Sequence, residues 1–264
     1  MIQAITLFVL YAAGAWLMLR TVRNPRLEPF AWVMILIAII GHSDLIMQHM
    51  MRSRGPFSIG LFEAMSLLGW TLAVLACLIS IDKQYRVLGA ILLLSAAVGG
   101  ALTGSGRSFA EATTVGWDLT AHILLSMAAA ALLFAAAVTA LLLVFLDRRL
   151  RTRRLADLPS GLPPLDALEK VMFRLIAAGF GLLTLALLTG FVFVTNLFAQ
   201  NLVQKTVLSL IAWLLFGVLL IGRWRFGWRG RSAVRWTLFG FGILALAYFG
   251  VKFVLEYLFG RHWG

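Results

Sequence analysis

Four histidines are the side chains of this sequence best suited to bind a metal: His42, His49, His122 and His262. Imidazole nitrogens are good ligands for iron, and two of them can approach one iron from opposite sides of a macrocycle. His42 and His49 are seven residues apart, so on a helix they share a face but lie about 10 Å apart along its axis. Those two residues therefore cannot be the axial pair of a single iron.

Other common chemistries find little support in the sequence. Cys77 is the only cysteine and lies in an apolar segment, which excludes both a disulfide framework and a CxxC relay. The loop Gly104–Arg107 lacks the strand and the GK[ST] context of a phosphate-binding loop. The sequence shows no nucleophile–base pair and no nucleotide site. We therefore predict that the chain is not an autonomous enzyme.

The elements that must position the histidines are apolar helices. Of the 264 residues, 61% are hydrophobic and 13% are charged, which is too apolar for a water-soluble domain. The apolar segments are near-continuous runs and not ten-residue alternations, so they indicate helices and not barrel strands. We predict an all-α, polytopic transmembrane helical bundle, with a first helix that is retained. About eight spans are expected, at 2–19, 30–50, 57–81, 86–104, 118–146, 170–198, 202–222 and 233–258.

The basic residues predict the orientation of these spans. Alternate loops hold 17 of the 23 lysines and arginines, in four clusters between Arg20 and Arg26, Lys83 and Arg86, Arg148 and Arg174, and Arg223 and Arg235. Because positive charge favours the cytoplasmic side, both termini are expected on the outer, periplasmic side. The same distribution explains the net charge of +12 without a nucleic-acid partner. The partner it implies is the lipid bilayer.

This orientation brings three of the four histidines to one membrane face. His49, His122 and His262 lie near the outer end of three separate segments, which is what an interfacial haem or metal site requires. Histidines also prefer interfaces to hydrocarbon, so the pattern alone leaves a structural role open. His42 lies deeper, where a polar side chain is costly and faces protein or water. Its neighbours Ser43 and Asp44 could satisfy it locally.

The charged residues near the outer face, like the histidines, fit either a functional or a purely structural role. Asp44 and Glu63 could each orient an imidazole by accepting its second N–H. The outer arginines could pair with carboxylates or with haem propionates, although each is also an ordinary interfacial charge. These arginines are Arg52, Arg54, Arg107 and Arg261.

Two further patterns predict structure. Gly99 and Gly100 are expected to allow close packing between helices. The stretch Trp224–Arg231 fits an aromatic belt beside cytoplasmic arginines, and we interpret it as a membrane anchor. Residues 147–169 form the one hydrophilic linker, with five predicted helices before it and three after it.

Five passages in order along the chain are similar to the cytochrome c assembly family of haem-handling membrane proteins (CcsA, CcmC and CcmF types), and most similar to its HemX/YpjD-like branch. Phe57–Ala64 resembles the family's Asn-x-x-Glu-Ser helix start, and Trp117–Ile123 resembles the segment with the first external haem histidine. Leu188–Gly190 resembles the glycine-bearing helix before the tryptophan-rich loop. Lys205–Arg223 and Phe259–Gly264 resemble the next helix and the ending with the second external histidine.

The resemblance implies a cofactor and its ligands. His122 and His262 would be the external axial pair of a transient b-type haem, with Trp117 and Trp263 packed near the macrocycle. Separately from the resemblance, we assign Arg107 as the propionate partner of this haem. His42 would occupy the helix in which CcsA-type members carry a membrane-embedded haem ligand.

The chain departs from the family pattern in two places. The stretch Asn196–Gln204 stands where the family has its tryptophan-rich loop, and it contains no tryptophan and no acidic residue. The position of the second membrane-embedded histidine falls close to Ile221, which leaves His42 without its expected partner. The resemblance therefore implies haem handling without the loop that, in larger members, presents haem to an apocytochrome.

These inferences predict a multi-pass protein of the bacterial inner membrane that binds or handles haem at its outer face, with a role in or related to cytochrome c assembly. Residues 1–34 would form an N-terminal span and cytoplasmic loop, and residues 35–264 the assembly-like transmembrane domain. Its partners would be haem and other cytochrome c maturation or haem-pathway membrane proteins. The alternative is a HemX-like regulatory or scaffold protein that acts through protein contacts without bound haem. A solute transporter would favour broken helices and an inverted repeat, and the arrangement shows neither clearly.

Overall fold

The computed structural model describes residues 2–52, 61–102, 117–151, 162–193 and 200–250. Over these ranges the chain forms eight α-helices and no strand, which confirms the predicted all-α fold. A π-helical turn, Leu246–Gly250, continues the last helix. The helices are α1 (Ile2–Arg20), α2 (Glu28–Arg52), α3 (Leu61–Ser80), α4 (Arg86–Ala101), α5 (Trp117–Arg151), α6 (Leu165–Phe193), α7 (Gln200–Phe226) and α8 (Gly230–Ala245).

Seven helices of the described part are long and apolar enough to cross a bilayer. They correspond to the first seven predicted spans. The eighth predicted span, 233–258, starts within α8 and ends outside the described residues. The large apolar side chains on the bundle surface, such as Ile40 and Val192, are 66% and 73% exposed. A surface of this kind suits contact with lipid tails.

Helix α5 contributes mainly small side chains to the bundle interior. Alanines of α5 are fully buried at Ala129, Ala136 and Ala140, and α5 packs along α6 in the most extensive helix contact of the described part. Because lipid tails are as apolar as leucine, helices in a membrane associate through close van der Waals packing, which small residues permit.

Glycines bring α3 and α4 into backbone contact. A Cβ added at Gly99 would lie 2.7 Å from the Cα of Gly69 and 2.8 Å from the carbonyl oxygen of Met65. On the next residue, a Cβ at Gly100 would lie 3.3 Å from Leu7 of α1. The predicted close packing at Gly99 and Gly100 is therefore confirmed, and it places α4 between α3 and α1.

A buried arginine joins three helices at the end of the bundle where α1 ends and α2 and α4 begin, which we call the predicted inner end. The side chain of Arg86 is 4% exposed and forms an ion pair with Glu28. Its Nη1 donates to Thr21 Oγ1 at 3.0 Å, and that hydroxyl donates to the carbonyl of Met18. Lys83 is a second, exposed cation near Glu28, at 3.7 Å.

A second carboxylate at the predicted inner end fixes the turn between α7 and α8. Glu169 of α6 pairs with Arg223 at 2.7 Å and with Arg229 at 3.3 Å, and it accepts the backbone N–H of Gly230 at 3.2 Å. The turn needs left-handed backbone at Gly227 and Gly230, where φ is 65° and 59°. Trp224, just before the turn, is 88% exposed, as a side chain that anchors in the bilayer interface would be.

The hydrophilic segment predicted as a linker over 147–169 is partly helical. Helix α5 continues to Arg151 and α6 begins at Leu165. Asp147 accepts Arg151 Nε at 3.0 Å one turn along α5 and lies 3.3 Å from Arg231 of α8. Such i,i+4 pairs support a helix beyond the apolar region, so these charged residues belong to helix ends and not to the linker.

Candidate functional site

His122 lies in the second turn of α5, beside the last turns of α6. These turns form the end of the bundle opposite the buried arginine, which the charge pattern predicts to be outer. The His122 side chain is half-buried, whereas Ala186 and Gly190 of α6, which it contacts, are buried. The long contact between α5 and α6 therefore holds a histidine at the edge of the apolar bundle.

The imidazole of His122 is hydrogen-bonded to α6. Its Nδ1 lies 3.1 Å from Thr189 Oγ1. The Thr189 hydroxyl in turn donates to the carbonyls of Leu185 and Ala186, at 2.9 and 3.0 Å. Bonds of this kind set the orientation of an imidazole ring, and a fixed ring is what a metal-ligating histidine requires.

A glycine gives the ring its space. A Cβ added at Gly190 would lie 3.0 Å from Cε1 of His122. This is tighter than ordinary van der Waals contact, so the ring rests directly on the backbone of α6. The Leu188–Gly190 passage thus gives His122 a hydrogen-bond partner, the Thr189 hydroxyl, and leaves room for its ring at Gly190, which has no side chain.

His42 lies in a separate polar network inside the bundle. It is fully buried on α2, with Nδ1 3.1 Å from the hydroxyl of Tyr11 on α1 and Nε2 3.0 Å from Ser66 Oγ on α3. These hydrogen bonds of His42 come from α1 and α3, and not from its neighbours Ser43 and Asp44 as the sequence suggested. Ser43 instead donates to the carbonyl of Ile39 and accepts Trp70 Nε1 at 2.8 Å.

Both ring nitrogens of His42 therefore face protein hydroxyls from other helices. A polar side chain at this depth is stabilised only if its hydrogen bonds are made within the protein. For His42 to bind iron, one of its ring nitrogens would have to give up its hydrogen bond to Tyr11 or to Ser66. Tyr11 and Ser66 were not singled out by the sequence reasoning, although a polar side chain within an apolar span is the signal that could have found them.

Removing the Tyr11 hydroxyl tests this network. We expect Tyr11→Phe to lower the free energy of unfolding by about 1 kcal/mol, because a hydrogen bond to a buried imidazole is lost. Denaturation of the detergent-solubilised protein by SDS measures this change. Tyr85→Phe is the matched control, since Tyr85 lies at the predicted inner end before α4 and should change stability little. Equal stability of the two variants would contradict a stabilising Tyr11–His42 bond.

The other predicted site residues are only partly described. Trp117 is the first residue of α5, five residues before His122, and its side chain lies outside the described part of the chain. His262, Trp263 and Arg107 lie outside the described residues altogether. The structure thus brings Thr189, Gly190 and Ala186 to His122, and it gives His42 a different set of neighbours.

The chemistry available at His122 is ligation by a single imidazole. No group of three or more His, Cys, Asp or Glu side chains gathers within the described ranges to hold a metal ion. A half-exposed histidine with an anchored ring and apolar surroundings instead fits an axial ligand, since a macrocycle supplies the remaining ligands of its iron.

Comparison with known proteins places these features in a family. The family model described as "Cytochrome C assembly protein" matches residues 58–259, about three quarters of the chain. That range contains α3 to α8, and within it lie His122, Thr189 and Gly190. No solved structure matches the chain.

Individual relatives cover shorter stretches. The "Inner membrane protein YpjD" of Escherichia coli (strain K12) is 42% identical over 135 residues, 51% of this chain and 51% of that protein. An "Uncharacterized 28.8 kDa protein" of Azospirillum brasilense is 36% identical over 142 residues, 53% and 52% of the two chains. The "Cytochrome c biogenesis protein CcsA" of Synechococcus elongatus is 32% identical over 107 residues, 40% and 33%. The chain spans about half the length of the first of these relatives.

Proposed function

The chain belongs to the cytochrome c assembly protein family, and from that premise we propose that it binds or handles haem at the outer face of the bacterial inner membrane. The seven apolar helices in the described part of the chain fit a multi-pass inner-membrane protein, and the chain is a membrane protein related to cytochrome c biogenesis. We further propose that the bound group is haem, that histidines bind its iron, and that the site lies at the outer membrane face.

The observation that supports the proposal is the setting of His122. The side chain is half-exposed at the end of an apolar helix, and its Nδ1 is held 3.1 Å from Thr189 Oγ1. A nitrogen that is anchored on one side of the ring leaves the other nitrogen for a ligand. Bound haem would supply the iron whose axial positions His122 and, as the sequence predicts, His262 would fill.

The protein's own part in this function is positioning. His122 would hold the macrocycle at the predicted outer end, where Trp117 begins α5. Trp263 and Arg107 remain the sequence-predicted contacts to the ring and to a propionate. We propose no hydrolytic or group-transfer step, so the chain would act as a carrier or accessory protein and not as an enzyme.

The visible spectrum of the detergent-purified protein tests the proposal. We expect roughly one low-spin haem per chain, visible as a Soret band with split α and β bands after reduction. His122→Ala should lower this haem content strongly, and the His122→Ala/His262→Ala double variant should remove it. The matched control is His49→Ala, a histidine on the same predicted face that the family resemblance does not assign as a ligand, and it should keep the wild-type spectrum.

Two outcomes would overturn the proposal. A wild-type protein that stays colourless after haem is added would exclude the haem site and favour the regulatory scaffold that acts through protein contacts. A Soret band that is unchanged in the double variant would show that haem binds elsewhere.

A further inference from the structure

The hydrogen bonds of Thr189 favour one position for the proton on the His122 ring. A threonine hydroxyl has a single hydrogen, and Thr189 Oγ1 lies 2.9 Å from the carbonyl oxygen of Leu185 and 3.0 Å from that of Ala186. Carbonyl oxygens only accept, so the hydrogen must point towards α6. With its hydrogen donated to those carbonyls, the hydroxyl oxygen accepts from His122 Nδ1, which then carries a proton.

We propose that Thr189 is a positioning residue that holds His122 as the Nδ1–H tautomer and so presents Nε2 as the ligating nitrogen. This inference rests on the proposed function, because it assumes that His122 is the ligand. Neutral imidazole in water prefers the opposite Nε2–H form, so the protein must supply this preference.

Gly190 completes the arrangement. With a Cβ at this position, the nearest ring atom would be only 3.0 Å away, and the ring or α6 would have to shift by a few tenths of an ångström. The bond from Nδ1 to Thr189 is 3.1 Å long and depends on that close approach. Thr189 would therefore set the tautomer and Gly190 the position of the ring.

The first test reads the tautomer without any haem. Full-length protein labelled with ¹⁵N-histidine contains only four histidines, and the signal of His122 is identified by its loss in His122→Gln. At about pH 8, where imidazole is neutral, we expect wild-type His122 to be protonated at Nδ1. Thr189→Val, which keeps the shape but removes the acceptor, should shift the population towards Nε2–H. Thr189→Ser, which keeps the hydroxyl, should restore the wild-type signal.

The second test measures haem affinity and the electronic state of the bound iron. Partners that orient a metal ligand typically contribute 10- to 100-fold in affinity, so Thr189→Val should bind haem roughly tenfold more weakly. Its low-spin EPR g values should also change, because the plane of the axial imidazole is no longer held. Thr189→Ser should stay within about twofold of wild type.

A matched pair of glycine variants separates ring position from general damage to α6. Gly190→Ala should weaken haem binding, whereas Gly181→Ala on the same helix should not, because an added Cβ there meets no described atom within 4 Å. Equal effects of the two substitutions would overturn the role of Gly190.

The outcomes distinguish this inference from the proposed function. An Nε2–H tautomer in wild type, or the same tautomer and affinity in Thr189→Val as in wild type, overturns the positioning role while haem binding itself stands. A wild-type protein that shows the Nδ1–H tautomer but takes up no haem overturns the proposed function, and with it the ligand part of this inference.

Discussion

Replacing Gly99 with alanine is expected to lower the free energy of unfolding by about 3 kcal/mol, because the new methyl group would meet backbone and not a movable side chain. The added Cβ would lie 2.7 Å from Gly69 Cα, 2.8 Å from the Met65 carbonyl oxygen and 3.2 Å from the Gly69 nitrogen. None of these atoms can move without moving α3. The two helices must therefore separate, which also disturbs the close packing of α4 against α1. SDS denaturation of the purified protein in detergent measures the change.

Gly242→Ala provides the control for this substitution. Gly242 is also in a helix, but an added Cβ meets no described atom within 4 Å. Because alanine is the better helix former, the control should leave stability unchanged or raise it by up to about 1 kcal/mol. If Gly99→Ala also leaves the free energy of unfolding unchanged, the close approach of α3 and α4 does not stabilise the protein.

The positions of the helices were predictable from the sequence, because each span is a continuous apolar run of nearly the length that a bilayer requires. The observed helices differ from the predicted spans mainly at the predicted inner end. Helix α5 extends to Arg151 and α7 to Phe226, four or five residues beyond the predicted ends. Ion pairs such as Asp147–Arg151 stabilise these polar extensions, and hydropathy does not register them.

The partners of the predicted site residues could not be read from the sequence. His42 bonds to Tyr11 and Ser66, which are 31 and 24 residues away, and His122 bonds to Thr189, 67 residues away. Such contacts depend on how each helix is rotated about its axis, which is set by packing between helices. For the same reason, Gly99 was recognised as a packing residue while its partner Gly69 was not. The roles of His262, Trp263 and Arg107 remain predictions.

The ion pair at the predicted inner end gives the second large effect. We expect Glu28→Gln to lower the free energy of unfolding clearly more than removal of an exposed charge would, because it leaves the almost fully buried Arg86 without its counter-charge. Arg86 has one polar atom, Nε, that makes no hydrogen bond within the described residues, so the guanidinium has little other compensation. The nearby Lys83 would then add repulsion that Glu28 now offsets. SDS denaturation again provides the measurement.

Two further variants show whether the burial of Arg86 is the cause. Lys83→Gln removes the other cation beside Glu28, but Lys83 is 75% exposed at 3.7 Å, so the cost should stay below about 1 kcal/mol. The Glu28→Gln/Arg86→Met double variant should recover much of the lost stability, because a buried apolar side chain needs no counter-charge. Equal losses in Glu28→Gln and Lys83→Gln would show that the carboxylate is an ordinary surface charge.

Glu28 and Thr21 precede the region matched by the family model, whereas Arg86 lies within it. A large loss in Glu28→Gln, rescued in the double variant, would therefore show that this arginine helps to hold the N-terminal helices against the family core.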